Sequence, residues 1–311
     1  MSVKIGRSLI AWQNDDLPEL TKDYTTEGAM EDAARIGYSG VERGRRIPAN
    51  TDGLRAYLDH YGVSLCGGWC SGNLMLNDLE TEKAAIRQQV DQFAALNAPC
   101  IVYAECSNTI QGDIARPVRQ RPKLGRDQMM AYAAKLSELA KWSAGQGVTL
   151  SYHHHMGAIV QDAEDIDWLM EGSDPALTLL FDTGHLHFAG ADPVAVLDKW
   201  GHRVHHVHFK DVRQPVLDRN RAQDHSFLDA VAGGAFTVPG DPEGCIDFAA
   251  VTNRLAAMNY NGWIVVEAEQ DPDKAPPYHY SKLGFEHIVK LCASAGLTLW
   301  PDVGQPARIQ N

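Results

Sequence analysis

The sequence predicts a closed (β/α)₈ barrel, an α/β fold. Short β-branched runs alternate with longer amphipathic segments, and eight such pairs occur within 311 residues. This number of pairs and this length fit a barrel, which usually takes about 250 residues or more. Glycine or asparagine often follows an amphipathic segment, as is typical of helix ends. An open doubly wound sheet is the alternative, but no G-x-G-x-x-G motif follows the first strand.

Each predicted element rests on its local pattern. The strands are short apolar runs at 3–11, 39–42, 64–68, 99–105, 148–153, 177–182, 204–209 and 263–267. The helices are amphipathic segments at 26–35, 54–61, 79–96, 127–146, 163–170, 193–200, 248–258 and 283–295. We therefore expect residues 1–311 to form one TIM-barrel domain.

Two connections are longer than simple loops require. Residues 106–126 carry a local excess of arginine and lysine, and residues 211–245 hold a short predicted helix and a stretch rich in glycine and proline. Both follow the carboxyl end of a strand, where barrel enzymes build their sites. We expect these loops to cover that face. A surface insertion or an oligomer contact is the alternative for each.

Composition narrows the classes of function. A formal net charge of -12 argues against a nucleic-acid partner, which would need a basic face. No apolar run approaches the ~20 residues needed to cross a membrane, and the first residues lack the pattern of a signal peptide. The six cysteines form no C-x-x-C pair, which favours reduced thiols and a cytoplasmic protein.

Four predicted strands end in side chains that can bind a metal ion. These are His153, Asp182, His208 and Glu267, on the fifth to eighth strands. Burying a carboxylate at the end of an apolar run costs several kcal/mol unless it is paired or metal-bound. Any one of the four could instead be a satisfied core residue. Together, they predict a site for a divalent transition metal.

Further polar residues follow the same strand ends. His185 lies three residues after Asp182, and Lys210 lies two after His208. Both are candidate catalytic residues, because a lysine or histidine beside a metal can move a proton or stabilise an enolate. A hydrogen bond that orients a ligand is the alternative for His185, and a salt bridge is the alternative for Lys210. Glu269 could replace one of the four ligands.

Substrate contacts are expected from the remaining strand ends. Glu42 and Glu105 end the second and fourth strands and are candidates for contacts with substrate hydroxyls, and His155 shares a strand face with His153. His155 could also serve as a metal ligand. Trp12 and Trp69 follow the first and third strands, where an aromatic wall against a sugar-like ring would lie. Core packing for the tryptophans and a rim salt bridge for Glu105 are the alternatives.

These residues resemble the xylose isomerase-like TIM barrel superfamily. The resemblance implies a metal held by Glu, Asp, His and Glu at the ends of strands five to eight. Asp182, His208 and Glu267 match the last three positions, and His185 matches the common Asp-x-x-His pattern. His153 stands where a glutamate is usual. Since epimerases of the superfamily use that glutamate as an acid and base, this departure argues against two-carboxylate epimerisation.

Longer stretches resemble one family, the inosose dehydratases. They are 102–108, 152–157, 180–185, 206–213, 226–231, 236–241 and 265–271. The three consecutive histidines in the second stretch are specific enough to separate it from the isomerases. The resemblance implies dehydration of 2-keto-myo-inositol (scyllo-inosose) to 3D-trihydroxycyclohexane-1,2-dione in inositol catabolism. It also implies manganese or cobalt as the metal, with glutathione as a possible helper.

Other functions remain open on the sequence alone. A metal-dependent ketose isomerase or epimerase would share the metal but need a second carboxylate near the carbonyl. An apurinic-site endonuclease would need a basic groove, which the net charge of -12 does not favour. A metal-free sugar-binding barrel would retain its melting temperature in a chelator. For a dehydratase, isomerase or epimerase, the expected partner is a small polyol ketone. The chain could also form a homo-oligomer.

Overall fold

Eight parallel strands close into a barrel in the computed structural model, which describes residues 2–301 and 303–304. In chain order the strands are β1 (Ser2–Arg7), β2 (Gly40–Arg43), β3 (Ser64–Gly72), β4 (Cys100–Glu105), β5 (Thr149–His153), β6 (Leu177–Asp182), β7 (Val204–Phe209), β8 (Asp211–Val212), β9 (Phe236–Thr237), β10 (Trp263–Val266) and β11 (Thr298–Leu299). The barrel consists of β1 to β7 and β10, and β10 pairs back onto β1 with Ile264 opposite Ile5. The predicted fold class is confirmed.

Helices follow the strands around the barrel. They are α1 (Thr26–Ile36), α2 (Thr51–Tyr61), α3 (Leu79–Ala95), α4 (Arg126–Gly145), α5 (Ala163–Gly172), α6 (Thr183–Phe188), α7 (Pro193–Trp200), α8 (Gln214–Ala222), α9 (Phe227–Gly233), α10 (Phe248–Ala257) and α11 (Pro277–Ala295). The eight predicted helices are present as α1 to α5, α7, α10 and α11. Helix α2 begins three residues earlier than predicted, because the Asn50 side chain accepts the Gly53 amide and caps it.

The first strand is shorter than predicted. It ends at Arg7, and Leu9–Ala11 form a 3₁₀ turn. The amides of Trp12 and Gln13 both donate to the Leu9 carbonyl at 3.0 Å, which turns the chain out of the sheet direction. Trp12 therefore does not continue the strand.

Several short elements escaped the sequence patterns. Helix α6 follows β6 without a loop, because Asp182 Oδ1 accepts the His185 amide at 2.8 Å and caps the helix. Six residues are too few to display a helical period. Helix α8 is mostly polar and so carries little apolar stripe, and the strands of the β8–β9 hairpin have two residues each.

The two long connections contact each other. Arg119, in the connection 106–126, forms an ion pair with Asp224, in the connection 211–245, at 2.7 Å between Nε and Oδ1. Both segments leave the carboxyl ends of barrel strands, β4 and β7. Of the single domain predicted over 1–311, Met1, Asp302 and residues 305–311 lie outside the described residues.

The barrel interior carries two apolar layers. Cys66, Trp263 and Val265 form one, and Cys100, Val102, Leu180 and Trp69 form the other. Because side chains alternate along a strand, Val265 and Glu267 face inward while Val266 packs in the main core between strands and helices. All six cysteines are free, and no helix in the described ranges is long and apolar enough to cross a membrane.

Replacing Phe181 with alanine tests how strongly the outer core holds the barrel. Its ring is fully buried on β6 within the cluster between strands and helices. Phe181→Ala should lower the free energy of unfolding by about 3–5 kcal/mol, from lost burial and the cavity left behind. Urea unfolding followed by circular dichroism measures the change. Leu76→Ala, at a side chain 69% exposed, is the control and should stay within about 0.5 kcal/mol of the native protein.

Candidate active site

A cavity of about 160 Å³ opens at the carboxyl ends of the barrel strands. Its polar lining residues are Ser8, Gln13, Asp15, Asp16, Glu42, Arg43, Arg45, Gln111, His153, His155, His208, Glu267 and Glu269, and Trp69 supplies an aromatic wall. Pockets for drug-sized ligands measure roughly 300–1,000 Å³, so this one suits a smaller molecule. The many donors and acceptors suit a polyol.

Two of the predicted metal ligands, His153 and His208, lie close to a carboxylate oxygen of a third, Asp182. Asp182 Oδ2 lies 3.4 Å from His208 Nδ1 and 3.9 Å from His153 Nε2. These separations exceed a hydrogen bond, yet two ligand atoms around a four-coordinate ion lie about 3.3 Å apart. Asp182 Oδ2 and His208 Nδ1 are buried, and neither has a hydrogen-bond partner among the described residues. The donor set therefore fits a divalent metal.

Lys210 lies at the centre of the neighbouring carboxylates. Its Nζ is 2.6 Å from Glu267 Oε2, 2.7 Å from Glu269 Oε2 and 3.6 Å from Asp182 Oδ2. The same Nζ lies 2.9 Å from His185 Nε2. Burial opposes the charged form of Lys210, but Asp182 and the two glutamates raise its pKa above the usual value. The ammonium group therefore stays charged and offsets the buried carboxylates.

Glu267 is held in an environment that favours its protonated form. Burial, followed by the nearby charge of Glu269, raises the pKa of Glu267 to about 8, although Lys210 acts in the opposite direction. Asp182 behaves differently: burial acts to raise its pKa, but Lys210 together with the neighbouring histidines outweighs burial and holds the pKa of Asp182 well below its usual value. Two carboxylates around one lysine are thus driven in opposite directions.

Burial keeps three histidines neutral. It is the largest cause that lowers the pKa of His153, His155 and His185. His208 differs: burial opposes its charge, but the Glu42 carboxylate raises its pKa to about 10. Neutral imidazoles can bind a metal or accept a proton, which are the two roles that the site requires.

His155 forms the wall between the cavity and the deeper residues. Its ring lies 4.2 Å from the His185 ring and 5.7 Å from the Trp69 ring, and Phe227 from α9 packs on it at 5.0 Å, centroid to centroid. His155 lines the cavity, whereas His185 and Lys210 are fully buried behind its wall.

Two predicted substrate contacts lie elsewhere. Glu105 does not line the cavity, because its carboxylate accepts the amide of Ser107 at 3.0 Å and the hydroxyl of Tyr132 at 3.1 Å. It stabilises the start of the connection after β4. Trp12 is also outside the cavity wall, since its Nε1 donates to Asp32 at 3.2 Å. The 3₁₀ turn after β1 directs it there, so core packing is the better account of this tryptophan.

Sequence reasoning overlooked part of the cavity wall. Asp16 comes from the connection after β1, Arg43 is the last residue of β2, and Arg45 lies in the connection that follows. Polar residues at such positions look like those of any solvated loop. Burial, then Glu269, raises the pKa of Asp16 to about 7. Glu42, expected from the sequence to contact substrate hydroxyls, reaches His206 and His208 across the barrel. Its position at the end of β2 was the available signal.

Comparison with known proteins assigns the family. The model of the xylose isomerase-like TIM barrel family matches residues 30–300. The chain is 43% identical to the rhizopine catabolism protein MocC of Rhizobium meliloti over 96% of this chain and 91% of that protein. It is 43% identical to an inosose dehydratase of Clostridium tetani, over 94% of this chain and 98% of that protein, and 40% identical to one of Geobacillus thermodenitrificans, over 93% and 97%.

The chain belongs to the inosose dehydratase family of xylose isomerase-like barrels. The resemblance drawn from its sequence is therefore confirmed. Solved structures agree on the fold. The IOLI protein, determined with a bound zinc atom, matches with a TM-score of 0.67 at 14% identity, covering 94% of this chain and 99% of that one. The 3-keto-D-glucoside 4-epimerase YcjR of E. coli matches with a TM-score of 0.62 at 17% identity, covering 94% and 100%.

His154 should make this family member sensitive to mild acid. Burial lowers the pKa of His154 to about 4, and neither ring nitrogen has a hydrogen-bond partner in the described part of the chain. Since histidine in an unfolded chain titrates near 6.5, protonation favours unfolding. This contribution to stability is complete above about pH 6.5 and falls as the pH drops toward 4, by about 2 kcal/mol at pH 5.

The variant His154→Leu should lose less stability than the native protein between pH 7 and pH 5. Urea unfolding at both pH values, with chelator present, measures the difference. His60→Leu, at an exposed position of α2, is the matched control and should follow the native pH dependence. Equal losses in His154→Leu and the native protein would contradict the role given to His154.

Proposed function

We propose that this chain dehydrates inosose, using a divalent metal at the carboxyl end of the barrel. The observation that carries the proposal is the convergence of His153 and His208 on the unpartnered Asp182 Oδ2, next to the buried Lys210. The family relatives named inosose dehydratase support the same reaction. The product would be 3D-trihydroxycyclohexane-1,2-dione, and the reaction belongs to inositol catabolism.

The metal ligands in this proposal are His153, Asp182, His208 and Glu267. The first three provide ligand atoms within 4.8 Å of one another. Glu267 follows β10, which neighbours β7, and the carboxylates of Glu267 and Asp182 both lie close to Lys210. A divalent metal bound there would polarise the ketone and stabilise negative charge on its oxygen. Manganese or cobalt is our proposal for the metal.

Proton transfer is assigned to residues that face the cavity. Dehydration removes a hydrogen from the carbon next to the ketone, and the hydroxyl on the following carbon leaves with a proton as water. His155 is neutral and lines the cavity, so we assign it the first step. Glu269 lies 4.0 Å from His155 and also lines the cavity, so we assign it the transfer of that proton from His155 to the departing hydroxyl. The sequence had favoured His185 and Lys210 for these steps.

His185 and Lys210 take supporting roles in this scheme. Both are fully buried, with Lys210 Nζ 2.9 Å from His185 Nε2 and 2.9 Å from Glu269 Oε1. Lys210 sets the charge of the carboxylates, and His185 packs against His155. Trp69, at the cavity wall, is our proposed contact for the apolar face of the ring.

The proposal also includes the partners of the protein, its location in the cell and the role of the two long connections. The partner is a small polyol ketone rather than a nucleic acid or a membrane, and a homo-oligomer is proposed. Glutathione is retained as a possible helper. The free cysteines favour the cytoplasm. The connections 106–126 and 211–245 are proposed to cover the site, supported by the pair Arg119–Asp224 that joins them.

A ketose isomerase or epimerase is the other enzymatic reading. Similar folds occur in D-allulose 3-epimerase, whose structure matches with a TM-score of 0.63 at 16% identity, which supports the fold alone. An epimerase would exchange a substrate proton with heavy water without net loss of water. The residue His153, where the superfamily usually has glutamate, favours dehydration.

Asp182→Asn should abolish metal binding and turnover while leaving the fold intact. Asparagine keeps an oxygen that can accept the His185 amide and cap α6, but it removes the negative charge from the donor set. We expect bound metal, measured by elemental analysis after dialysis, to fall at least about 10-fold, and inosose dehydration to fall at least about 100-fold. Asp192→Asn, at the cap of α7, is the control. Full metal content with unchanged turnover would refute the assignment.

Lys210→Met should separate metal binding from catalysis. Removing the ammonium leaves Asp182, Glu267 and Glu269 without their shared cation, so a divalent metal should bind at least as tightly as before. Dehydration should fall at least about 100-fold, because Glu269 would lose the ammonium group that holds its carboxylate beside His155. Isothermal titration with Mn²⁺ and enedione absorbance measure the two effects. Lys199→Met, which removes an exposed ion pair, is the control. Turnover equal to that of the control would contradict the role of Lys210.

A further inference from the structure

Glu42 forms an unusual link across the barrel. Its Oε1 lies 2.9 Å from His206 Nε2 and 2.9 Å from His208 Nε2, and all three side chains are buried. Strand β2, which carries Glu42, is separated from β7 by β1 and β10. The carboxylate therefore spans the barrel interior to reach two histidines on one strand face.

The two ring nitrogens of His208 have different neighbours. Nε2 lies at hydrogen-bond distance from Glu42, whereas Nδ1 lies 3.4 Å from Asp182 Oδ2 with no hydrogen-bond partner in the described chain. A carboxylate accepts a hydrogen bond but cannot donate one when ionised. Glu42 therefore keeps a proton on Nε2, and Nδ1, which faces Asp182, is the nitrogen that gives up its proton when a metal binds there.

We propose that Glu42 is a positioning residue, which fixes the tautomer and orientation of His208 so that Nδ1 binds the metal. The proposal rests on the proposed function only in that it needs the metal site at Asp182. It replaces the hydroxyl contact considered for Glu42 from the sequence. His206 Nε2 donates a second hydrogen bond to the same oxygen and holds the carboxylate in place.

The backbone of β3 is shaped to admit the link. Pairing between β2 and β3 shifts register after Val41, so that Glu42 lies opposite Gly67 rather than Cys66. Such bulges re-aim side chains near active sites. Gly67 has a φ of +155°, and a Cβ added there would lie 3.3 Å from both Glu42 Oε1 and His206 Nε2. A side chain at this position would therefore crowd the pair, and Glu42 and His206 would have to shift by a few tenths of an ångström to admit it.

Cobalt binding tests the proposal without relying on turnover. We expect Glu42→Gln to weaken Co²⁺ binding by about 10- to 100-fold, the usual effect of losing a partner that orients a metal ligand. Glutamine keeps the shape of the side chain but is a weaker acceptor for two imidazole donors. The visible absorption of the bound Co²⁺ should change as well, since His208 would no longer hold one orientation.

Gly67→Ala provides a second variant that removes no polar group. It should weaken Co²⁺ binding in the same direction by displacing Glu42. Gly147→Ala is the matched control, because that glycine also has a positive φ, of +90°, but a Cβ there would have nothing within 4 Å. If Glu42→Gln does not fold, which thermal unfolding of the metal-free protein reports, Gly67→Ala against Gly147→Ala decides the question.

The outcomes separate this inference from the proposed function. Native protein that binds no Co²⁺ would overturn the metal site and both proposals. If native protein binds Co²⁺ and Glu42→Gln binds it equally well with an unchanged spectrum, only the role of Glu42 is overturned. A raised KM for inosose with kcat and Co²⁺ affinity unchanged would instead make Glu42 a substrate contact. Reduced Co²⁺ affinity with a lower kcat is the expected result.

Discussion

The charge balance around Lys210 is the constraint on which the site depends. Three carboxylates, Asp182, Glu267 and Glu269, are buried at the carboxyl ends of β6 and just beyond β10, and each lies within 3.6 Å of the Lys210 ammonium. Burying these charges without a cation would cost several kcal/mol for each ion. The positive charge of the lysine offsets the repulsion between the carboxylates, so they can lie close together beside the histidine donors of the metal site.

The barrel itself supplies the convergence. Parallel strands bring their carboxyl ends to one face, so residues far apart in the sequence share one cavity. Side chains alternate along each strand, which makes His206 and His208 face inward together on β7. The apolar layer that includes Trp263 and Val265 closes the interior at another level. The barrel thus combines an apolar interior with a polar and highly charged face at the carboxyl ends of its strands.

The buried polar residues of the site form two groups, one that lines the cavity and one that lies behind it. His155 and Glu269 line the cavity, whereas His185 and Lys210 lie behind them. This separation explains why residues of similar chemical type receive different roles. Those at the cavity wall can exchange protons with a substrate. Those behind the wall hold the first group in position by contact and packing, as Glu42 does for His208 from the other side of the barrel.

The sequence by itself determined the eight strands, the order of the barrel and the four residues proposed as metal ligands. These depend on local apolar runs and on the residue that ends each run, which a single sequence displays. The tertiary structure decided what local patterns do not contain. It placed Trp12 and Glu105 outside the cavity and enclosed Lys210 among three carboxylates. It also joined Glu42 to His208 across the barrel, because contacts between distant strands depend on register, on the bulge at Gly67 and on the path of each loop.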